Sequence, residues 1–188
     1  MHVHFHGPYP LCSEDVDILD GCPYAGSAGI YLWAVQSASL GFVVDYVGET
    51  SKTFYARTKE HLIQALGGNY LVLDPGDLTD LHETVLWQGL WRRGTRDRMP
   101  RFLAQYEVLA PRIKGYLALH QVFVAPLACD RTLRRRIEGA LAAAFRAATP
   151  SLLPRDIRYR VRSSSEPGIG VRVSADRLIA GLPATLDA

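Results

Sequence analysis

Apolar residues in this chain fall into short runs with two different periods, and those periods divide it into elements. Gly29 to Val35 and Phe42 to Val47 are rich in Ile, Tyr, Trp, Phe and Val, as half-buried strands are. Between them Gln36 to Gly41 holds two serines and a glycine, so the pair reads as a β-hairpin. Alternation places Tyr31 on one face with Trp33 and Val35, and Tyr46 with Val44 and Phe42. Gly48 breaks the second strand. Ser51 or Thr53 then caps a helix with Phe54, Leu62, Ala65 and Leu66 at helical spacing, ended by Gly67-Gly68.

Further along, Asn69 to Asp80 is rich in Asp, Pro and Gly and reads as loop. Glu83 to Trp91 and Pro100 to Leu109 read as helices, and Gly115 to Ala125 as a third strand closed by Pro126. Asp130 caps a helix whose apolar face runs Leu133, Ile137, Ala140, Leu141, Ala144, Phe145, Ala148 to Thr149-Pro150. From Ile157 to Arg162 strict alternation predicts a strand burying Ile157, Tyr159 and Val161 and lining up Arg158, Arg160 and Arg162. Pro167-Gly168 turns the chain, and Val171 to Val173 returns it.

The 188 residues, 48% of them apolar, fit one α/β domain with a real core. We expect a small, mostly antiparallel three-stranded sheet flanked by helices over residues 29–150. An insertion at about 70–112, a lead-in over 1–28 and a basic extension over 151–188 complete it. No apolar run is long enough to span a membrane. Three cysteines make no disulfide framework and the start is unlike a signal peptide, so a reducing cytoplasm is expected.

Charge is lopsided. Residues 1–90 hold 3 basic and 11 acidic side chains, residues 91–188 hold 18 and 8. A positive field over part of the surface points to a polyanionic partner. Arg92, Arg93 and Arg96 form a basic connection between two helices, readable as a solvated turn or a phosphate-contacting loop. Arg158, Arg160 and Arg162 on one strand face would track a nucleic-acid backbone. His2, His4 and His6 alternate, and three imidazoles on one face can hold zinc. The cysteine spacing fits no zinc module, so an edge strand or lead-in is the reading taken there.

Arg57 and His61 lie one turn apart on one helix face, next to the strand end that the helix has just left. Two phenols, a guanidinium and an imidazole therefore meet at one cleft, a set suited to a phosphate and to proton transfer. Gly29-Ile30-Tyr31, then Tyr46-Val47-Gly48, then Arg57 and His61, resemble in order the motifs of the GIY-YIG nucleases. The resemblance covers Ala28 to Leu66 and the helix carrying Glu138, about a third of the chain. It implies a metal-dependent endonuclease acting on DNA. Tyr31 would be the general base, its pKa drawn down by Arg57 and the metal, and Tyr46 and His61 would orient water or relay its proton. Arg57 would stabilise the phosphate, and Glu138 would bind Mg2+ or Mn2+. Without the family, Glu138 reads as a helix-surface partner of Arg134 or Arg135. The family also carries an asparagine after that helix, whereas this chain has only Asn69. The rival expectation is a nucleic-acid-binding module that keeps the fold without catalysis.

Overall fold

In the computed structural model, residues 1–11, 13–91, 98–148, 151–154 and 157–188 are described, and they form a mixed α/β fold around one curled sheet. The hairpin is present as β2 (Gly29–Ser37) and β3 (Gly41–Thr50), paired antiparallel with Tyr31 opposite Gly48. Thr53 caps α1 (Phe54–Leu66), its hydroxyl accepting from the Ala56 N–H.

The expected three-stranded sheet is corrected to six strands, in the order β3-β2-β6-β1-β7-β8. The additional strands are β1 (His2–Pro10), β7 (Gly170–Ala175) and β8 (Thr185–Asp187), with β6 at His120–Pro126. Residues 2–10 are therefore no lead-in or edge, because β1 pairs antiparallel with β6 and parallel with β7. Val3 and Phe5 are buried in the core, which supplies the reason that this strand lies inside the sheet. At the other edge Phe42 bridges to Ile179, covering part of β3 that would otherwise offer free backbone groups.

Both faces of the sheet are covered, so β2 alternates between two cores rather than between core and water. Ile30, Leu32 and Ala34 pack with α4 (Arg131–Ala147), whereas Tyr31 and Trp33 pack with α1 and α3 (Arg98–Ala118). The two glycines of the hairpin motifs follow from close approach. A Cβ at Gly29, whose φ is +156°, would lie 2.1 Å from the Ala125 carbonyl oxygen, and one at Gly48 would lie 2.3 Å from the Tyr31 ring.

Several expected elements differ. The loop over 69–80 contains β4 (Val72–Leu73) and α2 (Pro75–Thr79), the latter capped by Asp74. The helix expected at 83–91 is instead β5 (Val85–Trp87), paired with β4 and anchored by the buried Trp87. Helix α3 runs through Pro111 to Ala118, past the expected stop at Leu109. Burying Ile113 and Leu117 on the stripe begun by Phe102 and Leu109 outweighs one missing N–H, and β6 starts later in consequence.

Residues 157–162 form no strand. They cross α4 at Gly139, where a Cβ would lie 1.8 Å from the Arg160 carbonyl oxygen. Arg146 holds the Ile157 carbonyl at 2.6 Å, so an arginine side chain occupies a group that a neighbouring strand would have used. Arg160 pairs with Glu166 and Arg162 with Asp187, and Val161 is exposed.

Candidate active site

Gly48 lacks a side chain opposite Tyr31, and the Tyr31 ring fills that space with its hydroxyl directed at α1. Tyr31 Oη lies 2.7 Å from His61 Nε2 and 3.3 Å from Arg57 Nε. Arg57 can only donate, so the tyrosine oxygen accepts from it and donates its own proton to His61. His61 Nε2 is then the acceptor, and Nδ1–H donates to Tyr70 Oη at 3.0 Å. Burial and the nearby Arg57 guanidinium drop the His61 pKa to about 3, which keeps that imidazole neutral as the network requires.

Tyr31 is 2% exposed. Burial, then the Tyr46 phenol beside it, push its pKa well above the ordinary value, and Arg57 only partly offsets them. Arg57 draws the phenol pKa down as the resemblance implies, but by less than burial raises it, so in the chain by itself Tyr31 is a protonated, buried phenol. Tyr46 is also raised by burial, with Tyr31 and Arg57 pulling the other way.

The open cleft lies beyond Tyr46, with a volume of about 470 Å3. Tyr46, Arg57, Glu138, Arg135, Arg158 and Arg160 line it, so β3, α1, α4 and the segment after α4 all contribute. Of the sequence-predicted residues, Tyr46, Arg57, Glu138, Arg158 and Arg160 line this cleft, whereas Tyr31 and His61 stand behind its wall. Arg162 is drawn away to Asp187, and Arg92, Arg93 and Arg96 lie outside the described residues.

Among the described residues three carboxylates line the cleft, and two are neutralised. Glu49 is held by Arg131 and Arg134, and Glu60 by Lys52 and Arg57. Glu138 has no ion pair among the described residues, and the alternative partner Arg134 is committed to Glu49, Ser51 and the Cys129 carbonyl. One oxygen of Glu138 accepts the Glu49 N–H at 2.9 Å. Burial raises its pKa to about 7, against opposing pulls from that N–H, Arg135 and Arg57. The shift comes from burial, which disfavours the charged carboxylate and which Arg135 and Arg57 only partly offset. A carboxylate oxygen is the donor type that magnesium or manganese takes, so Glu138 would be the residue of this cleft to hold one.

Sequence reasoning missed Glu49, Tyr70 and an adjoining pocket of about 430 Å3 lined by Trp33, Asp45, Tyr46, Tyr70, Trp91 and Tyr116. Asn69 also lines it, beside His61 and not after α4. At its base Asp45 Oδ2 meets His120 Nε2 at 2.6 Å, while His120 Nδ1 meets the Tyr116 carbonyl at 2.8 Å. Two acceptors on one imidazole require it to be protonated. Burial lowers its pKa, but Asp45 and the Tyr116 carbonyl overcome that and the net shift is upward.

The native chain thus binds more protons than the unfolded chain above the unfolded histidine value of about 6.5, and stability declines as pH rises through the folded pKa. The melting temperature should fall between pH 6 and pH 9. Asp45→Asn should flatten that fall and lower stability by about 3 kcal/mol, since it removes one partner of a buried pair. A parent melting temperature flat across that range would mean that His120 is neutral.

Gly48→Ala tests the support of Tyr31. Its methyl group would displace a fully packed ring, with an expected loss of about 1–3 kcal/mol in chemical denaturation. Comparison of the chain with protein-family models, with curated proteins and with solved structures finds no match.

Proposed function

We propose that the chain is a metal-dependent nuclease that hydrolyses phosphodiester bonds of DNA in the cleft between α1 and α4, a reading that keeps the resemblance to the GIY-YIG nucleases. The observation that carries it is the convergence of Arg57, Tyr46 and Glu138, which has no ion pair among the described residues, on one basic cleft.

Arg57 already gives Nε to Tyr31 and one Nη to Glu60, which fixes its guanidinium plane before substrate arrives. Such a preset donor stabilises charge on a phosphate without reorganising in the transition state. Tyr46 is the phenol that borders the cleft and orients the attacking water. Tyr31 and His61 behind it are positioning residues and the continuing path for a proton, from Tyr31 Oη to His61 Nε2. Glu138 would hold the magnesium ion, which when bound supplies Lewis-acid polarisation of the phosphate and lowers the pKa of bound water. The aromatic walls of the adjoining pocket, including the exposed Trp91, offer stacking surface to bases beside the reacting phosphate.

End-labelled duplex DNA, single-stranded DNA and RNA of one sequence test the reading directly. Magnesium-dependent shortening of DNA is expected; binding without cleavage of any of the three favours the binding module.

The exposed Arg135 and Arg158 line the cleft without an ion pair among the described residues, so they, rather than Arg162, are free to meet phosphates. Replacing both by Ala should reduce the slope of log affinity against log salt by about 1.8 on duplex DNA, at about 0.9 per contact. An unchanged slope would place the DNA elsewhere.

A further inference from the structure

On the same face of the sheet as Tyr31 and two strands away from it, the alternation of His4 and His6 along β1 meets Asp176, the residue just after β7. The parallel pairing of β1 with β7 sets His4 opposite Ser174, which brings the three side chains together across some 170 residues of sequence. One ligand atom from each lies within 4.8 Å of the others. His4 Nε2 is 2.7 Å from Asp176 Oδ1, and His6 Nδ1 is 3.6 Å from Asp176 Oδ2.

We propose that His4, His6 and Asp176 form a site for a divalent transition cation, zinc foremost, separate from the cleft that holds Glu138. Two imidazole nitrogens and a carboxylate oxygen are the donors of many three-ligand zinc sites, with the fourth position open to water. Ions bound at about 2.0–2.1 Å by tetrahedral ligands hold those ligands roughly 3.3 Å apart, within the spread seen here. All three side chains are part-exposed, at 33%, 27% and 43%, so they have room to close on an ion and a path for its entry.

The surroundings hold the ligands as outer partners of metal sites do. Ser174 Oγ engages His4 Nδ1 at 2.7 Å, leaving Nε2 to face the cation. The Gly7 N–H donates to Asp176 Oδ2 at 3.1 Å, and Tyr24 stacks on the His6 ring at 4.3 Å. His2, by contrast, is drawn off to the same serine hydroxyl at 2.8 Å and is not a ligand. Of the groups near the site, Tyr9 and Cys22 are both raised by burial. A bound ion would tie β1 to the chain end of β7 and so stabilise the sheet's parallel pairing.

The test uses the untagged, metal-stripped full chain in equilibrium dialysis against zinc, with cobalt as a spectroscopic substitute. One zinc per chain, a rise in melting temperature on loading and the intense visible bands of four-coordinate cobalt are expected. His6→Ala and Asp176→Asn should each weaken zinc binding by at least about 100-fold, while His2→Ala and Glu138→Gln leave it unchanged. Asp176→Asn preserves the side-chain shape and so serves if His6→Ala disturbs folding. No stoichiometric zinc would mean that the three residues are only a hydrogen-bonded cluster. Loss in His2→Ala equal to that in His6→Ala would assign the metal to the histidine row instead; either outcome overturns the proposal.

Discussion

Glu138→Gln should lower magnesium-dependent cleavage by about 1,000-fold, or roughly 4 kcal/mol in the barrier, while leaving the fold intact. Gln keeps the oxygen that accepts the Glu49 N–H, and it is nearly as good a helix former. It removes the cleft carboxylate that has no ion pair among the described residues. Because burial raises the Glu138 carboxyl, the ionised form is disfavoured in the folded chain, and the neutral amide should melt no lower than the parent. A residue serving only as a surface partner of an arginine makes the opposite forecast: a small stability loss of about 0.3–0.5 kcal/mol and full activity. Melting and cleavage measured on one preparation separate the two.

Arg57→Lys should cut cleavage by about 100-fold and leave DNA affinity within about twofold. Charge survives the change, but lysine cannot reproduce both the Nε contact to Tyr31 and the planar fork presented to a phosphate. Loss of the Nε donor also frees Tyr31 Oη, so the link from Tyr31 to His61 loses its orientation. Equal losses in binding and cleavage would make Arg57 a binding residue alone. An unchanged rate would remove it from the site.

The hairpin, α1 and α4 were legible because their information is local: alternating β2 and β3, the Thr53 and Asp130 caps and the apolar stripe of α4 need no distant partner to be read. The meeting of Tyr31, Arg57 and His61 was legible for the same reason, since a hairpin running straight into a helix fixes their relative places. What failed was non-local. The six residues from Ile157 to Arg162 alternate as a strand should, yet their environment is set by Gly139 and Arg146 on α4. Nothing within β1 says that its partners lie more than 100 residues away on either side. The run from Gly115 read as strand because its apolar residues look as strand-like as helical in isolation, whereas Leu117 lies on the buried stripe of α3.

Within the candidate site, which side chains come near one another was readable and their exposure was not. Whether a tyrosine near a strand end faces a cleft or stands behind it depends on which neighbours cover it. Here Tyr31 is buried and Tyr46 borders the cleft, so the tyrosine that the resemblance makes the general base stands behind the wall. That Glu138 has no ion pair among the described residues likewise rests on a neighbour outside its own helix, since Arg134, one turn before it, pairs with Glu49 of β3. A signal for it did exist: Glu49 directly follows Tyr46-Val47-Gly48, at the strand end that the resemblance already placed beside the cleft.

Supercoiled plasmid incubated with the purified chain in magnesium, in chelator, and with the Glu138→Gln variant in magnesium tests the central claim most directly. Relaxed or linear product should form with the parent chain in magnesium and in neither of the other two. Product formed equally by the variant, or by the parent in chelator, would contradict a metal-dependent site at Glu138; plasmid bound but uncut in all three would make the chain a nucleic-acid-binding module.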